Sequence, residues 1–174
     1  VSIGAYNSLN LALHVGDKKE DVLNNRVKLA NSLGFDSRTF VAAEQVHGGN
    51  TYIVTEKDQG AGALDFQDSI PGVDALITAK KGIPLISFYA DCVPLVFLDP
   101  VKRVVALAHA GWRGTVKKIA RQTVLQMQEA FSSSPENIMV ALGPSISRDY
   151  YEVNERVIEE FRRAFPWYKE LLVY

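Results

Sequence analysis

The stretch from Leu85 to Thr115 limits the possible folds more than any other part of the chain. Two apolar runs flank Cys92, in Ile83 to Tyr89 and Val93 to Leu98, and a third, Val104 to Ala108, leads into His109. Short apolar runs bounded by turn residues are consistent with buried strands. Asp99-Pro100-Val101-Lys102 is a turn that makes the last two a hairpin. Polar residues at the ends of such strands are delivered by rigid elements to an edge of the sheet. After His109 comes Ala110-Gly111-Trp112-Arg113-Gly114-Thr115, and then a helical pattern to about Phe131. A strand, a glycine-flanked turn and a helix start offer free amides to an anion. Arg113 adds a fork of donors suited to phosphate. The same glycines also serve a plain tight turn with Arg113 capping a neighbour.

The rest of the chain supplies layers around this stretch. Leu9 to Leu13 reads as a short strand. Asp17 is placed to cap a helix, with Glu20 reaching back from the third position and Gly34 as the stop after Leu33. The apolar stripe of that helix is Val22, Leu29, Ala30 and Leu33, and Arg26 falls on the same stripe. A guanidinium on a buried face needs a partner. That makes Arg26 a structural ion pair, a snorkelling side chain or an anion-binding group at an inner site. Thr39 to Ala43, Thr51 to Thr55, Asp74 to Ala79 and Ile138 to Leu142 read as further strands. His47 lies between the first two, in Gln45-Val46-His47-Gly48-Gly49, where the backbone can bend sharply. Lys57 to Gly72 is irregular and long enough to be functional or mobile. The later helices carry a stripe of Val116, Ile119, Ala120, Thr123, Val124 and Met127, and then Glu155 to Ala164 capped by Asn154. Trp167 to Tyr174 is apolar and aromatic, and is expected to pack against more protein.

Composition closes off several functions. A chain of 174 residues fits one domain, 1–174, with a substantial core. A formal net charge of -1 gives no basic field for nucleic acid. No apolar run reaches the roughly 18 residues of a membrane span. A single cysteine excludes an internal disulfide, so a cytoplasmic location is expected. The chain starts at Val1 without an initiator Met, so a preceding segment is expected to have been removed or left out. Nothing in the pattern sets an oligomeric state.

Three histidines and one cysteine keep the chemistry countable. His47, Cys92 and His109 form a Cys-His-His set that can hold one zinc ion with a fourth position open. They stand 45 and 17 residues apart, so no short zinc motif applies. Cys92 and His109 can also pair as nucleophile and base in a hydrolase. A single copper suits imidazole and thiolate, but the count is too small for a multicopper centre. In a non-enzymatic binding module all three would be structural.

The motifs taken together are more specific. Ser8-Leu9-Asn10-Leu11, His14-Val15-Gly16-Asp17, Asn25-Arg26, Gln45-Val46-His47-Gly48, Ala90-Asp91-Cys92-Val93-Pro94, His109-Ala110-Gly111-Trp112-Arg113-Gly114 and Gly143-Pro144-Ser145-Ile146 occur in this order. The series closely resembles the YfiH/YlmD-type family, also called the laccase-domain or polyphenol-oxidase-like family and related to mammalian FAMIN. The resemblance implies an α+β fold, a mixed-sheet layered sandwich like that of cytotoxic-necrotizing-factor-type cysteine hydrolases. It implies zinc on His47, Cys92 and His109, and phosphorolysis of adenosine, inosine and methylthioadenosine, with adenosine deamination as a side activity. Copper-dependent phenol oxidation is the alternative activity ascribed to such proteins. On this basis Arg26 and Arg113 are expected to hold phosphate, Asn10 to bond substrate, and Asp91 to orient a metal ligand from outside the first layer. Compared with that family, the chain lacks an opening strand and the helix, strand and arginine-rich motif that follow the last helix. It has Asp149 and Tyr150 near the place where many members carry a cysteine.

Overall fold

A computed structural model describes residues 1–171. The main sheet has five strands in the order β2-β3-β6-β5-β7. They are β2 Thr51–Ile53, β3 Ala75–Thr78, β5 Val93–Asp99, β6 Val104–Ala110 and β7 Met139–Leu142. β2 and β3 are parallel and the other pairs antiparallel, so the sheet is mixed. β1 Val41–Ala42 and β4 Leu85–Ile86 form a separate parallel pair. The expected hairpin is β5–β6. Asp99 Oδ1 closes it by accepting from the backbone N–H of Val101 at 2.9 Å and of Lys102 at 3.0 Å.

The order of layers follows from which side chains each strand buries. One face of β5 and β6 presents Leu95, Phe97, Val104, Ala106 and Ala108 to Ile119 and Met127. Those two belong to α3, Ile119–Phe131. Leu76 of β3 packs the other way, with Val41 of β1, Val54 and Ile70. Beyond the small sheet, Ala30 of α1, Lys19–Leu33, meets Phe40, Ala42 and Ile86. The fold is therefore the expected α+β layered sandwich: helix, large sheet, small sheet, helix. α4, Glu155–Ala164, is capped as expected by Asn154, whose side chain accepts from the Val157 N–H. No helix among the described residues is long and apolar enough to cross a membrane. The part of Trp167 to Tyr174 beyond residue 171 lies outside the described residues.

Several local expectations are corrected. Leu9 to Leu13 is not a strand, because side chains of α1 claim its backbone. Arg26 Nε donates to Leu11 O at 2.8 Å, and Asn25 Nδ2 to Asn10 O at 2.8 Å. Asp17 does not cap α1. Lys18 occupies the cap position without a side-chain bond, and Asp17 instead accepts from Ser2, Asn10 and the Lys18 N–H. Gly34 does end the helix, in the left-handed conformation at φ 74°. The Ile83 to Tyr89 run pairs only at Leu85–Ile86. The helix after His109 is two helices. α2, Trp112–Val116, ends at Lys117, and Lys118 turns left-handed at φ 59° before α3 begins. The irregular Lys57 to Gly72 segment is anchored, since Arg26 Nη1 donates to Gly62 O and Ala63 O, both at 2.7 Å.

Candidate metal centre

Three chain segments carry His47, Cys92 and His109 to one point. His109 sits near the end of β6 and is held by its strand ladder. Cys92 immediately precedes β5. His47 lies in the loop after β1 with a left-handed backbone, φ 57°. One potential donor atom from each residue lies within 4.8 Å of the others, and the two imidazole centroids are 4.7 Å apart.

One carboxylate organises this loop and this strand. Asp74, just ahead of β3, is almost fully buried. It accepts from the His47 N–H at 2.9 Å, the Gly48 N–H at 2.6 Å and His109 Nδ1 at 2.9 Å. Burial pushes its carboxyl up, and bonds from His109, Gly48 and His47 more than offset this, leaving it below its ordinary value. With the proton on Nδ1 directed at Asp74, Nε2 of His109 is the free donor. A carboxylate behind a ligating histidine fixes both the tautomer and the ring direction.

A second clamp joins the His47 loop to the Cys92 segment. Gln45 Nε2 donates to Phe88 O at 2.7 Å, and the Phe88 N–H donates to Gln45 Oε1 at 2.9 Å. The side-chain amide replaces a strand partner, which explains why the Ile83 to Tyr89 run stops pairing early. Tyr89 OH donates to Ala108 O at 3.2 Å and holds the same segment against β6.

Gly111 leaves space for the donors. A Cβ there would sit 2.9 Å from Cys92 Sγ and 3.1 Å from His47 Cδ2. Its backbone, at φ −74° and ψ 173°, is one that alanine adopts freely, so any effect of alanine is steric and local. Gly111→Ala should therefore weaken metal binding about tenfold, the low end for disturbing the surround of a ligand set. Competitive zinc titration measures this. Unchanged affinity would show that the donors have room to spare.

Burial and then the Asp91 and Asp74 carboxylates push the Cys92 thiol up. Burial and the His109 charge pull His47 down, against Asp74, with Arg113 adding a small push the same way. Such a set fits a dication, which repays the desolvated thiolate and takes neutral imidazoles.

The other expected residues divide. Arg113 is exposed, lies over the Trp112 ring at 4.6 Å and is close enough to His47 to be felt electrostatically. Its helix has five residues, so little dipole stands behind it. Arg26 is 1% exposed and lies over the Phe88 ring at 4.9 Å. Burial pulls it down to about 10, so it remains charged at neutral pH. No carboxylate pairs with it among the described residues. Asn10 spends its amide on Asp17 and Ala12. Asp91 is exposed, and it is Asp74 that holds His109. Asp74 and Gln45, which hold the donor segments in place, are the residues that sequence reasoning missed. His14 lies against Phe66 at 4.9 Å and Phe88 at 6.0 Å, within electrostatic reach of Arg26, His109 and His47.

Comparison with known proteins bears on the fold and the family. The chain is 46% identical over 165 residues to "Purine nucleoside phosphorylase YlmD" of Geobacillus stearothermophilus, covering 95% of this chain and 60% of that protein. It is 38% identical over 160 residues to "Adenosine deaminase RL5" from an unknown prokaryotic organism, covering 92% of this chain and 61% of that one. The chain thus spans about 60% of the length of these relatives. The crystal structure of YlmD from Geobacillus stearothermophilus matches with a TM-score of 0.91 over 93% of this chain and 60% of that one. That of the Bacillus licheniformis hypothetical protein YfiH matches at 34% identity with a TM-score of 0.96, over 99% of this chain and 65% of that one. Residues 1–173 match the sequence profile described as "Multi-copper polyphenol oxidoreductase laccase", and the chain belongs to that laccase-domain family.

Proposed function

We propose that this chain carries the metal site of a zinc-dependent purine nucleoside phosphorylase. The observation that carries this is the convergence of His47, Cys92 and His109 within 4.8 Å, in a chain 46% identical to a relative named for that activity. A zinc ion on those three donors would keep an open fourth position and supply Lewis acidity there.

Phosphorolysis joins a phosphate oxygen to C1′ of the nucleoside while the C1′–N9 bond breaks and its electron pair leaves with the purine. The chain must hold a dianion beside a sugar that is becoming cationic. Arg26 retains two Nη2 N–H bonds with no acceptor among the described residues, and Arg113 offers an exposed fork near His47. These are the cations assigned to phosphate. Asp74 keeps the His109 proton on Nδ1 and the His47 backbone in place. Adenosine deamination, in which water replaces the 6-amino group and ammonia leaves, is the second reading, supported by 38% identity to RL5.

The two other readings fit less well. A hydrolase using Cys92 and His109 needs a lowered thiol pKa, whereas burial and two carboxylates push this one up. Copper-dependent phenol oxidation takes its support from the family's description, but three histidines and one cysteine are too few for a multinuclear copper centre. A ligating thiolate suits a reducing compartment, and we assign the protein to the cytoplasm on that ground.

The test uses full-length protein loaded with zinc and given inosine and phosphate. Hypoxanthine and ribose 1-phosphate should form in equal amounts and stop when zinc is chelated. A folded, zinc-loaded protein that yields neither product overturns the reading. Phenol turnover that needs copper and persists without phosphate would replace it.

A further inference from the structure

We propose that His14 is a substrate-contacting residue, which holds the purine ring through a hydrogen bond to N7 from a shelf formed with Phe66 and Phe88. This rests on the phosphorylase reading and identifies where the base lies. His14 is the one histidine outside the donor set. It is exposed, yet its ring is tilted at 35° against half-buried Phe66 and set edge-on at 64° to half-buried Phe88. A polar ring laid over two aromatic rings is a platform on which a flat heterocycle stacks.

The position of the shelf is tied to the metal donors through Phe88. Phe88 is the residue whose backbone Gln45 grips from the His47 loop, and it lies four positions before Cys92. The Arg26 guanidinium backs the Phe88 ring at 4.9 Å. Phe66 begins a short turn opened by Asp65, whose side chain accepts from the Gln67 N–H and pairs with Lys19 at 2.6 Å. His14 itself is within electrostatic reach of both metal histidines. A base on the shelf would therefore lie beside the donor set.

Burial, ahead of the charges around it, favours the neutral form of His14. Burial pulls its pKa down, and Arg26, His109 and His47 act in the same direction. A neutral imidazole carries one N–H donor and one acceptor nitrogen. The N–H can bond N7, an acceptor in both 6-oxo and 6-aminopurines. As the C1′–N9 pair moves into the purine, negative charge grows on N7 and that bond strengthens, so it favours the transition state over the ground state. One contact of this kind serves inosine and adenosine alike.

The experiment compares His14→Phe and His14→Gln with wild type in zinc-loaded full-length protein, using inosine and 7-deazainosine, which lacks the N7 acceptor. Wild type should prefer inosine at least tenfold in kcat/KM. His14→Phe should lose most of that preference while keeping its zinc content and melting temperature. His14→Gln should recover part of it, since its amide still donates. A second readout does not depend on turnover: hypoxanthine should shift the His14 Cε1–H resonance in wild type. If wild type turns over inosine while His14→Phe keeps its preference and the resonance stays still, the His14 assignment fails and the phosphorylase reading stands. If wild type turns over no nucleoside, the phosphorylase reading fails first.

Discussion

Asp74→Ala is expected to remove most of the metal affinity and a large part of the fold's stability. The carboxylate is buried and serves three donors: the His47 N–H, the Gly48 N–H and His109 Nδ1. Each partner left without an acceptor costs about 1–3 kcal/mol. Three together give a loss of roughly 3–6 kcal/mol, discounted for the half-open His47 side. Asp74→Asn is the finer probe, because it keeps the shape. Its Oδ1 can still accept, but its NH2 would face an N–H, and the His109 tautomer is no longer fixed. Zinc affinity should fall 10- to 100-fold in that variant, the range for losing a ligand's outer partner. Denaturation of the metal-free protein gives the first number and competitive zinc titration the second. An Asn variant binding zinc within twofold of wild type would sink this account. There is a pH signature as well. The native carboxyl lies below its ordinary 3.8, so its contribution is complete above that value and is lost as pH falls through the lower native one.

Arg26→Met should be nearly as damaging, for a different reason. The side chain is fully buried, and its guanidinium satisfies the carbonyls of Leu11, Gly62 and Ala63. Those carbonyls belong to two irregular segments, so one residue of α1 pins both to the core. Methionine fills much of the volume but leaves three acceptors dry and takes the cation off Phe88. We expect a loss of about 3–5 kcal/mol in denaturant unfolding, comparable to breaking a buried ionic contact. Arg26→Lys keeps a charge but not the fork, so it should recover only part of this. A methionine variant within about 1 kcal/mol of wild type, well under the cost of three dry acceptors, would show that the carbonyls find water instead. The phosphate role is separable: it predicts a raised KM for phosphate in whatever fraction of Arg26→Lys stays folded.

The sequence made the donors legible because imidazole and thiol are rare in this chain. It hid Asp74 because that residue is one of 20 acidic ones, and only its place at the head of a strand sets it apart. Asp91 was expected in its role because it is next to Cys92. Asp91 is exposed and makes no side-chain hydrogen bond to a donor residue, whereas Asp74, distant in sequence from Cys92 and His109, bonds His109 directly, so sequence proximity was the wrong guide. Arg26 was correctly read as a cation on a buried face, but its partners are carbonyls from irregular backbone, which no side-chain pattern records. The break between α2 and α3 had no local signal, since neither glycine nor proline stands at Lys117 or Lys118. The strands of the hairpin were the easiest to read, because their apolar runs are bounded by a turn of known chemistry.

Timing follows from where the donors come from. His47 leaves the small sheet, while Cys92 and His109 belong to the hairpin of the large one. Asp74 reaches His109 only once β3 has paired with β6, in the register that sets Ala75 opposite Ala108. No two members of the set are sequence neighbours, so nothing in the nascent chain can trap an ion early. The centre is a product of long-range pairing, the slow stage of building a sheet. An ion on these donors would thus be acquired by a chain that has already folded, and Cys92 would until then depend on its surroundings to stay reduced.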